Sequence, residues 1–467
     1  MSAVANICKK INFPLTPLGY QVENVDASIA ESIDHHGMYW DMGAGKTFGS
    51  TLRNMIYRDE TGAQIIQVVP PILIRQWARW LDSCGISNTV YVGTKKQRSK
   101  LTLGRDTSYL LIPLGILKND YDRIYETYSA RKISVAVDEA TCIKNYDSGN
   151  FRAILQLQSG QAIMPMTGTP LATPSDAYAY IKLISPEIYR SFSQFENIHV
   201  GSKDYFDTVT EWKNLDVLKK NLGLRSSFIS TPEVHPDMPR ARISDIEYDL
   251  AKSHEKLYRT LVDQQLLVFD NGGAIDASTP SKLYHAVQQI VLNYGYFAQQ
   301  NDLVPAGFEV LDEMVAEVGR AKLLVFANYK MSVRAIVEHL RKTGVAAVQV
   351  NGEISAKEKF DNIEMFLKNP LCQVLVVNTI SAGKGLDGLQ HVCHYMLFME
   401  VPTVALTFWQ AVKRLERPGQ KFITDVRIAT ALGTVQVRMR KNLIQNDGLV
   451  NSLVPSANDL RNALYGK

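Results

Sequence analysis

The sequence predicts an α/β protein in which two parallel-sheet domains follow one another along the chain. Short apolar runs alternate with longer amphipathic segments in two blocks, residues 64–166 and 322–398. The runs of the first block end at Pro, Gly or an acidic residue, as buried parallel strands do at their carboxyl ends. Between the blocks, from about 187 to 307, helical spacing and polar residues dominate. Alternating strands and helices imply parallel sheets with right-handed crossovers.

Eight apolar runs are predicted to be strands. They are Gln64–Pro70, Tyr109–Ile112, Ile133–Val137, Ala162–Met166, Lys322–Phe326, Ala346–Val350, Gln373–Val377 and Tyr395–Phe398. Between the blocks, Tyr248–Phe269 has the spacing of a long amphipathic helix. We therefore expect a first domain at 1–238, which includes a helical insertion, and a second domain at 239–467, which begins with a helix.

The composition is typical of a soluble globular protein. The chain has 467 residues, a length that is enough for two or three domains with their own cores. Of these residues, 46% are hydrophobic and 21% are charged. The five cysteines are scattered, which fits a reducing compartment. No apolar run approaches the roughly twenty residues that span a bilayer, so we expect a cytoplasmic location and no membrane partner. The net charge of +4 permits a nucleic-acid partner but does not indicate one.

The strongest single motif is a glycine-rich loop, here called the phosphate loop, which consists of Met42, Gly43, Ala44, Gly45, Lys46 and Thr47. Its glycines let backbone N–H groups close around phosphate oxygens, and the following helix offers its positive N-terminus. Lys46 is expected to reach the terminal phosphates, and the Thr47 hydroxyl to ligate Mg²⁺. The full pattern has glycine at position 40, where this chain has Trp40. The alternative is a chance Gly-Lys-Thr at a helix start.

An acidic pair, Asp138 and Glu139, directly follows the predicted strand Ile133–Val137. Acids at the mouth of a buried strand are costly unless charged partners or a metal meet them. With a phosphate loop upstream, we interpret Asp138 as a Mg²⁺ ligand. Glu139 would then orient or deprotonate the attacking water. The alternative is an acid pair that caps a helix.

A turn of Thr167-Gly168-Thr169-Pro170 follows the predicted strand Ala162–Met166. Its two hydroxyls are placed to contact the acidic pair on one side and a ligand on the other. A plain loop is the alternative for this turn.

These motifs, in this order, resemble the Swi/Snf-like ATPases of helicase superfamily two. The acidic pair continues into Ile143-Lys144-Asn145, as it does in that family, and Asp41-Met42-Gly43 is similar to the start of the family's phosphate loop. Leu18-Gly19-Tyr20-Gln21 resembles the adenine-reading motif, with Gln21 in the base-contacting place. Val69-Pro70-Pro71 with Gln76-Trp77 resembles the motif that packs the first lobe against a DNA backbone.

The second half resembles the same family in five segments. They are Val325–Tyr329, Asn351–Glu358, Ser381–Asp387, Gln410–Gln420 and Gly433–Val435. The first opens the family's second lobe, the third resembles its glycine-rich coupling motif, and the fourth closely tracks its arginine-finger segment. The resemblance covers nearly the whole chain in the right order, and that order is more specific than any one motif.

The resemblance implies two RecA-like lobes in tandem, with small helical insertions between them, which bind ATP and Mg²⁺ and move on DNA. It implies that Arg417, with Arg414, reaches ATP from the second lobe, where donors must stabilise phosphate charge; a solvated helix face is the alternative for this pair. Further ATP contacts carried over are Gln21, Gly385 and Asp387. Nucleic-acid contacts carried over are Pro71, Thr169, Asn328, Tyr329 and Thr379.

The chain departs from the family pattern at two places. Pro113-Leu114-Gly115 stands where the family usually has Thr-Thr-Tyr, and Lys359 stands where arginine is common. The sequence also carries no recognisable appended domain, as expected of a stripped motor from a virus, which would act in the host cytoplasm, or from a bacterium.

Taken together, the sequence predicts an ATP-dependent translocase or helicase that acts on duplex or branched DNA without sequence preference. Replication, recombination or transcription proteins are its candidate partners. One alternative is an RNA helicase, or a remodeller of a complex such as RNA polymerase on DNA. An alternative of another class is an ATP-binding scaffold that moves nothing, but a scaffold has no use for both Glu139 and Arg417.

Overall fold

The computed structural model describes residues 2–71, 73–101, 103, 107–128, 131–158, 161–203, 209–264, 266–268, 274–276, 280–298, 304–379, 386, 388–402, 404–441 and 443. The described residues form two compact units, which lie within Met1–Pro236 and Asp237–Asp447.

The strands of the first unit are β1 (Gly37–Trp40), β2 (Gln64–Val68), β3 (Asn88–Val90), β4 (Tyr109–Ile112), β5 (Ile133–Val137), β6 (Ala162–Pro165), β7 (Val200–Lys203), β8 (Val209–Trp212) and β9 (Ser226–Ile229). Its helices are α1 (Ala3–Lys10), α2 (Gly19–Glu31), α3 (Lys46–Thr61), α4 (Ile74–Ser83), α5 (Lys95–Ser99), α6 (Leu114–Asn119), α7 (Tyr121–Tyr128), α8 (Gly149–Gln158), α9 (Asp176–Ile184), α10 (Phe192–His199), α11 (Leu215–Gly223) and α12 (Thr231–Val234).

A parallel sheet with strand order β3-β4-β2-β5-β6 forms the centre of the first unit. Beside β6, two parallel bridges join the sheet to the parallel pair β1–β9. In the register of the sheet, Val68, Val137 and Pro165 lie opposite one another at the last residues of β2, β5 and β6. The segments that follow these strands therefore leave the sheet at the same edge. Strands β7 and β8 form a separate antiparallel pair.

The strands of the second unit are β10 (Arg242–Tyr248), β11 (Leu266–Val268), β12 (Ala274–Asp276), β13 (Lys322–Ala327), β14 (Ala347–Val350), β15 (Val374–Asn378), β16 (Cys393–Phe398) and β17 (Asp425–Ala431). Its helices are α13 (Lys252–Gln264), α14 (Pro280–Ala298), α15 (Gly307–Val318), α16 (Lys330–Lys342), α17 (Ala356–Lys368) and α18 (Ala405–Val412). Six strands form a parallel sheet of order β10-β17-β16-β13-β15-β14.

Each sheet is buried on both faces, which explains why its strands read as continuous apolar runs. In β5, Ile133, Val135 and Val137 pack into one hydrophobic core, and Ala136 packs into another on the opposite face. Residues of β13 alternate between two cores in the same way. The structure thus confirms the predicted α/β class with two parallel sheets, and all eight predicted strands are present within a few residues.

The prediction of a helix across Tyr248–Phe269 was wrong at both ends, since Leu266–Val268 form the strand β11. Tyr248 ends β10, the helix α13 covers only Lys252–Gln264, and the second unit therefore opens with a strand. In β10, Arg242, Asp245 and Glu247 are exposed, since β10 is an edge strand paired only with β17. An edge strand with this many charged residues lacks the apolar run by which the inner strands were recognised.

Among the residues that the structure describes, no helix has both the length and the apolar character needed to cross a membrane.

A buried carboxylate, Glu400, fixes the start of α16 in the second unit. It is 2% exposed and accepts hydrogen bonds from the backbone N–H groups of Asn328 and Tyr329 and, at 2.7 Å, from the hydroxyl of Ser332. The Asn293 amide donates to the same hydroxyl at 2.7 Å. A carboxylate here satisfies N–H groups that the start of a helix leaves without intrahelical partners. Burial nevertheless raises the pKa of Glu400 to about 7.

We expect the stability of the protein to fall as the pH rises through the titration of Glu400. The folded form keeps a proton on Glu400 up to about pH 7, whereas an unfolded chain releases it near 4.5. The stabilisation is therefore complete below about pH 4.5 and is lost as the pH rises through about 7, and it amounts to at most about 3 kcal/mol. Glu400→Gln should abolish this component, as measured by thermal unfolding at pH 5 and pH 8.

The matched control is Glu309→Gln, which changes an exposed carboxyl in α15 and should leave the pH dependence of the parent unchanged. The same difference in melting temperature between pH 5 and pH 8 for Glu400→Gln and for the parent would contradict this account.

Candidate active site

The phosphate loop connects the buried strand β1 to the 16-residue helix α3. Gly43 and Gly45 have φ of 91° and 75°. This left-handed region is strained for residues with a side chain, so the curvature of the loop requires glycine at both positions. The loop ends at the N-terminus of α3, where backbone N–H groups without intrahelical acceptors make an anion-binding site.

The turn Thr167-Gly168-Thr169-Pro170 packs against the phosphate loop through Gly168. A Cβ on Gly168 would lie 3.2 Å from the backbone N of Met42 and 3.3 Å from Nζ of Lys46. Lys46 Nζ donates to the backbone oxygens of Trp40 at 2.7 Å and Asp41 at 3.1 Å. These two bonds hold the Lys46 side chain across the loop. At position 168, only a glycine fits against the loop without displacing Met42 or Lys46.

Trp40, which replaces the first glycine of the pattern, directs its side chain into the core. It is fully buried, and its indole N–H donates to the hydroxyl of Ser227 at 2.8 Å. A Cβ on Gly49 in α3 would lie 2.3 Å from the Trp40 ring. The backbone oxygen of Trp40 contacts the phosphate loop by accepting a hydrogen bond from Lys46.

Gln21 lies directly against the phosphate loop. Its side-chain Nε2 donates to the backbone oxygen of Ala44 at 3.4 Å, and its Oε1 accepts from the backbone N–H of Leu18 at 2.9 Å. The Tyr20 hydroxyl donates to the same oxygen of Ala44 at 3.1 Å. A Cβ on Gly45 would lie 2.3 Å from Gln21 Nε2. Gln21 is thus placed beside the loop, while its adenine-reading role stays a prediction.

The acidic pair lies at the carboxyl end of β5, at the sheet edge defined above. Asp138 is 7% exposed, whereas Glu139 is half-buried. Burial and the neighbouring charge of Glu139 raise the pKa of Asp138, and a hydrogen bond from Trp77 and the charge of Lys46 oppose that rise. Glu139 has a φ of 49°, a strained conformation for a residue other than glycine and one that occurs often at functional sites.

Two residues contact this site although the sequence analysis did not predict these contacts. Trp77 was grouped with a DNA-contacting motif, but it is 2% exposed and its indole N–H donates to Asp138. Thr231, at the start of α12, donates its hydroxyl proton to the backbone oxygen of Met42 at 2.8 Å and its N–H to Asp41 Oδ2 at 3.3 Å. Because some 190 residues separate Thr231 from the loop, no local pattern could have indicated it.

The nucleic-acid contacts predicted in the first unit differ in their exposure. Pro71 is exposed and Thr169 half-buried. Thr167, the other hydroxyl of the turn, is fully buried, and its Oγ1 accepts the backbone N–H of Thr169 at 3.2 Å. Of the two hydroxyls, only that of Thr169 is therefore placed for an external ligand.

The predicted site residues of the second unit are found in several environments. Arg414 is buried, at 4% exposure, while Arg417 is half-buried and its Nε donates to the backbone oxygen of Lys413 at 2.9 Å. The half-buried pair Asn328 and Tyr329 lies at the start of α16.

Thr379 is 2% exposed, so its side chain has little surface for the nucleic-acid contact that was predicted for it. Gly385 and Asp387 lie outside the described residues, and their predicted roles stay predictions.

The donor set of the first unit fits the expected Mg²⁺. Asp138 offers carboxylate oxygens and Thr47 a hydroxyl at the first turn of α3, and Mg²⁺ prefers oxygen ligands, of which substrate phosphates usually supply part. These two residues would hold the ion together with a bound nucleotide.

Comparison with known proteins identifies two family models along the chain. The family model for the SNF2-related domain matches residues 28–299, and the model for the helicase conserved C-terminal domain matches residues 306–419. The first match covers more than half of the chain.

Two curated relatives have similar sequences. The human DNA annealing helicase and endonuclease ZRANB3 is 22% identical over 421 residues, which are 85% of this chain and 37% of that protein. The SWI/SNF-related matrix-associated actin-dependent regulator of chromatin subfamily A-like protein 1 of Xenopus tropicalis is 23% identical over 423 residues, 84% of this chain and 40% of that protein. The chain therefore spans about two fifths of the length of these relatives.

A solved structure has the same fold. The Hef helicase domain of Pyrococcus furiosus superposes with a TM-score of 0.54 and 16% identity, covering 95% of this chain and 100% of that chain. The fold is thus the predicted one, two RecA-like parallel-sheet lobes in tandem.

Gly45→Ala should both destabilise the first unit and weaken nucleotide binding. An alanine at this φ costs roughly 1–2 kcal/mol, and its Cβ would displace Gln21 from the loop. We expect binding of a fluorescent ATP analogue to weaken by about tenfold, since ~1.4 kcal/mol of distortion is enough for that change. The control is Gly62→Ala, at the other end of α3. Gly62 has a φ of 68° and nothing within 4 Å of its Cβ position.

Gly62→Ala should therefore lower the melting temperature without changing nucleotide affinity. Equal nucleotide affinity for the parent and Gly45→Ala would show that the phosphate loop does not bind the phosphates of the nucleotide.

Proposed function

Because this chain belongs to the SNF2-related family, we propose that it is an ATP-dependent DNA translocase or helicase. It would couple ATP hydrolysis to movement on, or remodelling of, duplex or branched DNA in the cytoplasm. The observation that carries the proposal is the convergence of the phosphate loop, the acidic pair and the Gly168 turn at one edge of a parallel sheet.

Each residue of this edge has a proposed chemical task. The N-terminus of α3 and Lys46 bind the phosphates of ATP, and Gln21 contacts the adenine. Thr47 and Asp138 hold Mg²⁺, which when bound supplies positive charge to the phosphate oxygens. Glu139 orients the attacking water and accepts its proton, for which its greater exposure than Asp138 is suitable.

The arginines of the second unit are proposed to complete the site on closure. Arg417 would stabilise the charge that develops on the transferred phosphoryl group, and the buried Arg414 would support it. Opening and closing of the site during the hydrolysis cycle would then move a bound strand in steps. Gly385 and Asp387, in the segment that resembles the family's coupling motif, are proposed to contact ATP.

The nucleic-acid partner is proposed to be DNA, held through its phosphates rather than its bases, because a motor that moves along any sequence cannot depend on base edges. Pro71, Thr169, Asn328 and Tyr329 are the proposed contacts, together with Thr379 if its surroundings open. Replication, recombination or transcription proteins are proposed as partners.

The proposed function is tested by the ATPase rate without nucleic acid and with single-stranded DNA, duplex DNA, a four-way junction and RNA. We expect duplex or branched DNA to stimulate hydrolysis most. Glu139→Gln, which retains the shape of the side chain but not the base, should bind ATP and hydrolyse it slowly, and this control ties the activity to the acidic pair. Stimulation by RNA alone would favour the RNA alternative. An ATPase activity that no nucleic acid stimulates would contradict the translocase proposal and favour the alternative of an ATP-binding scaffold.

Arg417→Ala should reduce turnover by roughly 10³ to 10⁵, the range for arginines that serve phosphoryl transfer in this way. ATP affinity should change little, because ground-state contacts are proposed to come from the first unit. The measurement is steady-state turnover with saturating DNA, alongside nucleotide affinity and thermal unfolding.

Arg414→Ala is the companion variant. Because Arg414 is buried, its loss should lower the melting temperature, whereas Arg417→Ala should leave it near that of the parent. Parental turnover in both variants would mean that the second unit takes no part in catalysis.

A further inference from the structure

Both oxygens of the Asp138 carboxylate accept a hydrogen bond from a neutral N–H group. The indole Nε1 of Trp77 donates to Oδ2 at 2.7 Å, and the backbone N–H of Glu139 donates to Oδ1 at 3.0 Å. With one donor the carboxylate could rotate about its Cβ–Cγ bond, but with two on opposite oxygens its plane is fixed. Trp77 therefore sets the orientation of the carboxylate, which the backbone contact alone does not.

Trp77 and Asp138 are tied together through the backbone as well. The backbone N–H of Asp138 donates to the oxygen of Val68, the last residue of β2, at 2.9 Å. The chain then runs from β2 into α4, whose first turn carries Trp77. One short stretch of chain therefore connects Val68, which binds the backbone of Asp138, to the helix that carries Trp77, whose ring is 2% exposed.

The chemistry of the donor suits a carboxylate that must bind a cation. An arginine or lysine in this position would neutralise Asp138 and compete with a metal ion for it. An indole N–H is uncharged, has no acceptor atom and does not titrate. It orients the carboxylate and leaves its negative charge available.

We infer that Trp77 is a positioning residue, whose indole N–H holds Asp138 in the orientation in which it meets the Mg²⁺ of a bound Mg–nucleotide. This inference rests on the proposed function. Trp77 does not touch the nucleotide; it acts through Asp138.

The same helix supplies a matched control. Trp80, one turn later in α4, donates its indole N–H to the neutral hydroxyl of Thr51 at 3.0 Å. Its ring packs edge-on against Phe48, with centroids 5.3 Å apart. Trp77→Phe and Trp80→Phe thus each remove one indole N–H bond from α4, but only the first removes a bond to the proposed metal ligand.

The experiment measures the affinity for ADP by calorimetry, once with Mg²⁺ and once with EDTA. Mg²⁺ should increase the ADP affinity of the parent, and we expect this increase to be about tenfold smaller in Trp77→Phe. Tenfold is the lower end of the range for partners that orient metal ligands. Its affinity in EDTA should equal that of the parent. Trp80→Phe should match the parent in both conditions, although both variants should melt at somewhat lower temperature.

Two results would overturn the inference. One is a Trp77→Phe protein that keeps the full gain from Mg²⁺, and the other is an equal loss of affinity in Mg²⁺ and in EDTA, since that pattern is general damage to the loop. If Trp77→Phe does not fold, benzothienylalanine at position 77 serves instead, because it retains the bicyclic shape but lacks the N–H. A parent protein that binds no Mg–nucleotide would contradict the proposed function itself, not only this inference.

Discussion

Each unit buries a carboxylate at the carboxyl end of an inner parallel strand, where loss of water is costly unless donors replace it. Asp138 follows β5 and accepts two neutral N–H bonds. Glu400 follows β16 and accepts three bonds, which fix the start of α16. A carboxylate can accept about four. Asp138 thus retains acceptor capacity for a cation, whereas most of the acceptor capacity of Glu400 is occupied by hydrogen bonds within the second unit.

This difference explains why the two acids, each near the carboxyl end of an inner strand, have different roles. The surroundings of Asp138 supply uncharged donors and a lysine that is itself occupied by backbone oxygens. The phosphate loop beside it is held from several directions, by Gln21 from α2, by the Gly168 turn and by Thr231 from α12. A loop fixed in this way can present N–H groups without reorganising when a ligand arrives.

The features predictable from the sequence are those that local pattern controls. Strands buried on both faces read as apolar runs, and such runs identified eight strands, including β14 at the edge of the second sheet. Glycine requirements and acids at strand ends identified the phosphate loop and Asp138. By contrast, β1, β3, β9, β10 and β17 were not predicted, because they are short, lie at or near an edge, or carry polar residues. The contacts of Trp77 and Thr231 depend on packing between distant segments, which no spacing encodes.

Trp40 shows which parts of a motif are physical requirements. At Gly43 and Gly45 the backbone is left-handed, and no other residue adopts that conformation without strain. Position 40 ends the strand β1, where the backbone is extended and any residue fits. Its tryptophan fills the core beneath α3, where a side chain at Gly49 would collide with the ring. The glycine that the pattern places at 40 is therefore dispensable here, provided that position 49 has no side chain.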